Sequence, residues 1–496
     1  MMPFGMSFGQ SSFIRLAAFA GVAGVLAGLP APARSQSLPN DATVRLAGAN
    51  TVGVGMIPPW ATAWSRKIGL PAIRTEPGQD NEEFTMLAEG AEGARKLRIE
   101  VKFHGTPTGT EPLIRGQADM WMTVRPARES DLEAVRRRNV PNVPSLSQFQ
   151  APGVENVVAL DAVAVIVHPA HPVRKLSMAQ MRDIFLGRVT NWSAVGGPNL
   201  PIAVYAPDPS FGTFEALCTG VLNIPNSQQC LAQLKLAAPP FKSVDDLSDT
   251  VSGAPGAIGW VGIVAKRNAR AVQIETDCGS IHDADAFGVK AEEYPLARRY
   301  YIYVSPTRPP TLATAEFLKY MLSTEGQTVL RESGGVDLLP GVSSDDYAPG
   351  RLDVAGNALD GGHTRIRATD VQAFEDAIQD ANRLSVTFRF REGMDALDAR
   401  AEADLGRLAA LMQAPAYAKS QLMLIGFSAA RGDYNANRTL SRDRAAAVRE
   451  RLVAMGVKNV ASTGVGPASP VACNGEGGTA TLNQRVEAWV RKIPGG

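Results

Sequence analysis

Long hydrophobic runs are missing from this chain after residue 29, so no later segment is long and apolar enough to cross a bilayer as a helix. An excess of charge of either sign is missing too. Lys and Arg number 50 against 49 Asp and Glu, the formal net charge is +1, and no long basic tract occurs. That balance gives no reason to expect nucleic acid as a partner. Histidine is scarce, at five, and unclustered. His168 and His171 are three apart, but HPAHP cannot be regular helix, so no metal is expected. Beyond residue 35 no GxSxG elbow occurs, nor any paired acid/base layout, so neither an enzyme nor a cofactor is expected. Cysteine is limited to Cys218, Cys230, Cys278 and Cys473, with spacing unlike a zinc site.

What is present bounds the answer further. A length of 496 residues with 45% hydrophobic content allows two to four domains with adequate cores. Residues 1–35 read as a secretory signal peptide. Arg15 precedes the apolar run Leu16 to Leu29, and Ala31-Pro32-Ala33 supplies small residues for cleavage. Export to the periplasm permits disulfides, and Cys218 with Cys230, closing a short loop, is the best pair. Cys278 and Cys473 fall in different domains and are expected to be buried thiols. Trp60, Trp64 and Trp121 are expected in the core or on a cleft wall.

Residues 40–340 alternate short apolar strands with amphipathic helices, the α/β pattern. Two segments look like lobe crossings, one near Val124 to Glu155 and one from Glu292 to Val304. A chain that leaves one lobe, builds a second and returns gives two lobes with a ligand cleft between them. Residues 341–383 read as a Gly/Asp/Ser-rich linker containing a helix near Asp370–Asn382. From 384 to 496 an alternating strand (LSVTFRF), two amphipathic helices and two further strands make a smaller α+β domain.

Three turns carry the chemistry. LPIAVYAPDPSFGTFEALC, Leu200 to Cys218, runs strand, turn, then Ser210, Gly212 and Thr213 at a helix start. LAGANTVG places Asn50 and Thr51 at another, and FHGTPTGTEPL offers Thr106, Gly109 and Thr110. Small residues and hydroxyls at a helix start suit an anion, because free backbone N–H groups and the positive helix end converge there. They equally serve as ordinary N-caps. Arg125, at a strand end in WMTVRPAR, adds a possible bidentate clamp.

These residues carry a family resemblance. AGANTVG, HGTPTGTEPLIRGQADMWMTVRPA, IFLGRVTNWSAVGG and GAIGWVGI resemble phosphate-binding receptors of the PstS type over residues 42–338. The resemblance implies a two-lobed α/β periplasmic binding protein that closes on phosphate or a related oxyanion. It implies the anion-binding set Asn50, Thr51, Thr106, Gly109, Thr110, Arg125, Ser210, Gly212 and Thr213, and an ABC permease as transport partner. The sequence departs from the family at Ala49 and Val124, where Ser is usual, at Phe211, inserted in the Ser-Gly-Thr turn, and at Pro207, where Arg is often seen.

Residues 384–492 resemble the OmpA-like domain that associates with peptidoglycan. LSVTFRF, LMLIGFSAARGDYNANRTLSRDRAAAVRERLVAMGV and NQRVEAWV carry the likeness. Asn437 and Arg444 match the family's peptidoglycan-binding positions, whereas Ala429 stands in place of its Asp and Gln484 in place of an Arg. The leading expectation is therefore an exported solute-binding protein tethered near the cell wall or outer membrane. The alternative is an envelope structural or interaction protein that has lost tight anion or diaminopimelate binding. A phosphate-ester hydrolase has only the anion site behind it.

Overall fold

The computed structural model describes residues 38–496 except 91–94, 278, 345–346, 361–365, 392–393, 431, 474–478 and 494–496. The signal peptide read over residues 1–35, and Cys278, lie outside the described residues. Up to residue 340 most strands form one continuous mixed sheet, and Ile281–His282, Gln273–Glu275 and Lys175–Ser177 form a separate small one. The main order of the large sheet is Ala72–Pro77, Glu83–Glu89, Lys96–Lys102, Asp41–Gly48, Met120–Thr123, Ala297–Val304, Glu155–Val167, Ala257–Gly262 and Ala203–Tyr205. Asp41–Gly48 pairs parallel with both of its neighbours, as βαβ connections require. Ala297–Val304 runs antiparallel between Met120–Thr123 and Glu155–Val167, so the two lobes share this crossing strand. Its register shifts between Tyr300 and Tyr301.

After the crossing strand the chain returns to the first lobe. Trp60 Nε1 donates to the Gly326 carbonyl at 2.7 Å, and Trp64 stacks on Phe317 with centroids 4.9 Å apart. Trp60, Trp64 and Trp121 are all core residues. In the second lobe, Glu155–Val167 is buried from Val157 onward, the continuous burial of a strand covered on both faces. Asp161 is the one charge within that run. Cys218 and Cys230 are disulfide-bonded and join the Gly212–Gly220 helix to the Ser227–Gln233 helix. Cys473 is also disulfide-bonded, so the expectation of a buried thiol fails there.

The C-terminal domain is a four-stranded sheet ordered Ala381–Arg389, Arg485–Lys492, Ser420–Phe427 and Val460–Gly464. Leu384, Val386 and Phe388 on one face pack with Leu405 and Leu408 of the Ala399–Gln413 helix and Val448 and Leu452 of the Tyr434–Ala454 helix. The helix expected near Asp370–Asn382 runs over Ala368–Ile378, and a further helix, Tyr347–Asp360, occupies the part of 341–383 read as linker. Ala355, Phe374 and Ile378 from these helices cover the second face of the sheet, against Ile425, Phe427 and Trp489. Gly350, Gly356 and Pro349 hid the first helix, although Arg351 and Ala355 recur at its buried four-residue spacing.

The alternation in LSVTFRF implied one solvated face, yet the polar face is buried as well. It sits on the first domain. Thr387 Oγ1 donates to the Ala291 carbonyl at 3.0 Å, and Arg389 Nε to Glu292 Oε2 at 3.0 Å. Glu292 also pairs with Arg299 and with Arg400, whose Nη1 lies 2.8 Å away. Arg299 Nη1 reaches Asp398, the N-cap of the Ala399–Gln413 helix, at 2.8 Å. Burial would raise the Glu292 carboxyl, but its Arg partners hold it well below the ordinary carboxylate range. The two domains thus meet through a buried ion network.

Candidate anion site

The three turns lie on different elements, and the lobes bring parts of them together. Asn50 opens a short helix after the Asp41–Gly48 strand, and its Nδ2 donates to the Ser210 carbonyl at 3.1 Å, bridging the lobes. Asn50 Oδ1 accepts from the Thr51 N–H at 2.9 Å. Thr106 is buried, and its Oγ1 accepts weakly from the Val124 N–H at 3.4 Å. Val124 faces Gly212 across the cleft: a Cβ on Gly212 would lie 3.1 Å from Val124 Cγ2.

Other expected residues have structural duties. A Cβ on Gly109 would fall 2.4 Å from the Ala47 carbonyl oxygen, so this glycine is required by close packing of the helix start on the sheet. Thr110 is almost wholly buried, and its Oγ1 has no hydrogen-bond partner among the described residues. Ser210 closes an Asx turn, its N–H and Oγ both donating to Asp208 Oδ1, at 2.9 and 2.6 Å. Arg125 is already engaged by a bidentate pair with Asp131 at 2.7 and 2.8 Å. Burial opposes its charge, and Asp131 more than restores it.

The residue that sequence reasoning missed is Arg298, on the crossing strand. Its guanidinium is buried, with Nε donating to Asp161 Oδ2 at 2.8 Å and Nη2 to Asp161, Thr213 Oγ1 and Tyr300 OH. Nη1 has no hydrogen-bond partner among the described residues. It lies 3.6 Å from where a Gly212 Cβ would be, beside the start of the Gly212–Gly220 helix. That helix carries no side-chain cap, because Phe211 occupies the N-cap position. Burial works against the Arg298 charge, but Tyr300 and Asp161 keep it firmly protonated.

A cavity of about 320 Å³ opens here, lined by Val124, Arg125, Arg128, Gly212, Glu215 and Arg298 among others. Burial and the neighbouring Arg125 lower the pKa of Arg128. The arrangement offers an unpartnered guanidinium N–H, an uncapped helix start and further positive charge in one place, a chemistry suited to an oxyanion. One signal for Arg298 was present in the sequence. Two adjacent arginines in an apolar crossing strand require buried partners, and Asp161, alone in an apolar run, is one of them.

Residues 84–325 match the model of the PBP superfamily domain, and residues 389–484 match the OmpA family. The chain unites a PBP superfamily domain with an OmpA family domain. Protein SphX of Synechococcus elongatus is 28% identical over 258 residues, covering 49% of this chain and 70% of that protein. Phosphate-binding protein PstS of Pseudomonas aeruginosa is 23% identical over 307 residues, covering 58% of this chain and 89% of that one. Among solved structures, an ABC-type phosphate transport receptor from Vibrio cholerae aligns with a TM-score of 0.42 at 20% identity. It covers 59% of this chain and 99% of that chain.

In the C-terminal domain, Arg444 is closed over. Its guanidinium donates to Gln484 Oε1 and the Met394 carbonyl, both at 3.2 Å, and to Asp395 Oδ1 at 3.4 Å, and it lies over the Phe390 ring. Burial lowers its pKa. Asn437 lies on the same helix, partly buried. Ala429 is buried, and Asp433 does not stand in for the missing Asp: it caps the helix, accepting from the Ala436 N–H at 2.7 Å. Among the described residues no helix is long and apolar enough to cross a membrane.

Proposed function

We propose that the first domain captures phosphate or a related oxyanion in the cleft between its lobes, seated on Arg298 Nη1 and the start of the Gly212–Gly220 helix. The observation that carries this is the buried Arg298 N–H left without a partner beside Gly212. Arg298 supplies the charge that Pro207 lacks, while Thr213, fixed by Arg298, orients the site. The relatives named as phosphate-binding proteins support phosphate as the ligand. Glu215, on the cavity wall, is an acceptor for the proton of hydrogen phosphate, which sulfate lacks. The test is calorimetric titration of anion-stripped protein with phosphate, with sulfate as competitor. Micromolar, phosphate-selective binding is expected, and relaxed selectivity in Glu215→Gln. The absence of heat with either anion would refute the reading.

The exported chain is placed by this reading in the periplasm, with peptidoglycan as partner of the OmpA family domain and an ABC permease as recipient of the anion. Because Arg444 is covered, wall binding requires Asp395 to swing away. The full chain should sediment with peptidoglycan, and Arg444→Ala should release it.

A further inference from the structure

A second cavity, of about 410 Å³, lies where three parts of the molecule meet: the Ser280 to Tyr294 segment of the second lobe, the Tyr347–Asp360 helix and Pro470 of the C-terminal domain. It is distinct from the anion cleft and shares no lining residue with it. Its interior holds unmet hydrogen-bonding capacity. Glu293 is 7% exposed, and its Oε2 accepts from the Tyr347 hydroxyl. Its Oε1 has no hydrogen-bond partner among the described residues and stands 4.0 Å from Arg383 Nη2. Arg351 is 6% exposed, and its Nη2 donates to the Ser469 carbonyl at 3.2 Å and to Glu487 Oε1 at 3.3 Å. Its Nε, like His282 Nε2, has no partner among the described residues.

Leaving a buried polar atom without a partner is costly. Three around one cavity mark a site completed by something else. Their chemistry defines it. Glu293 Oε1 requires a donor, and Arg351 Nε requires an acceptor. Two exposed carboxylates, Asp283 and Asp285, sit on the lining. Among the described lining residues, Asp283, Asp285 and Glu293 against Arg351 give two net negative charges when His282 is neutral, and burial favours that neutral form. The complementary molecule has one carboxylate and two ammonium groups.

We propose that this junction cavity binds a small diamino monocarboxylic acid, with its carboxylate on Arg351, one ammonium on Glu293 and the second toward Asp283 and Asp285. Since the walls come from both domains, its ligand braces their junction. The probe is L-lysine, titrated by calorimetry into the full chain. A Kd below about 1 mM is expected, with L-alanine, lacking the second ammonium, at least about tenfold weaker. Gly350 lies on the lining, and a Cβ there meets nothing within 4 Å, so Gly350→Leu adds bulk to the cavity wall with room for its Cβ and suits a helix better than glycine does. Gly350→Leu should abolish lysine binding and Glu293→Gln should weaken it about tenfold or more, both leaving phosphate binding unchanged. No heat from L-lysine at about 10 mM, or wild-type affinity in a folded Gly350→Leu, overturns the proposal.

Discussion

Replacing Arg298 by Lys isolates the guanidinium fork from the charge. Arg298 has two faces: Nε and Nη2 hold Asp161, Thr213 and Tyr300, and Nη1, with no partner among the described residues, lies beside Gly212. Arg298→Ala would leave Asp161, 4% exposed, without its cation. Breaking a buried pair in this way costs about 3–5 kcal/mol, so a loss of binding would be indistinguishable from a loss of fold. Lys retains the charge next to Asp161, but its donors sit on one nitrogen and cannot hold Asp161 and reach the cleft at once as the guanidinium fork does. The variant should therefore lose one charge-assisted hydrogen bond to the anion, about 1.5–3 kcal/mol, or about 10- to 150-fold in Kd. Calorimetry with phosphate reads the affinity, and a thermal melt confirms that the variant is folded. A folded Arg298→Lys that binds phosphate as tightly as the parent would refute the assignment of Nη1 to the anion.

Thr213→Val should weaken phosphate binding by about tenfold, because it removes the hydroxyl that receives Arg298 Nη2 at the helix start; equilibrium dialysis measures this. Arg125→Lys should lower the melting temperature more than it weakens binding, since its guanidinium is committed to Asp131. Glu292→Gln should uncouple the two domains, turning one calorimetric unfolding transition into two, because Arg299, Arg389 and Arg400 all converge on that carboxylate. The native Glu292 pKa lies below its ordinary value of 4.5, so its contribution is complete above that pH and is lost as the pH falls toward the depressed value. Melts followed from pH 7 downward should show the parent's junction weakening only on the acid side. Asp395→Ala should increase retention on peptidoglycan, because it removes one partner covering Arg444.

The alternation of strand and helix, the two crossings and the OmpA-like strand pattern were legible because each rests on local periodicity. The turn at Ser210 and the helix start at Gly212 and Thr213 were legible for the same reason: a hydroxyl-rich turn before an amphipathic run is a local signal. Arg298 was not. Its role depends on Asp161, which is 137 positions away, and on the crossing strand placing both beside Gly212. The pairing of Arg125 was not legible either, since Asp131 lies only six residues on but engages it through a turn that spacing does not reveal. The helix at Tyr347–Asp360 was missed because glycine and proline outweighed the four-residue spacing of Arg351 and Ala355. Its stability comes from packing on Trp489 and its neighbours rather than from intrinsic propensity. The polar face of LSVTFRF reads as solvated unless the first domain is known to cover it.

The most direct test of the central claim is a crystal structure of the protein grown with phosphate, with the anion located by difference density. The account predicts one tetrahedral anion in the cleft, within hydrogen-bond distance of Arg298 Nη1 and the first N–H groups of the Gly212–Gly220 helix. An empty cleft at saturating phosphate, or an anion bound away from Arg298, would contradict it.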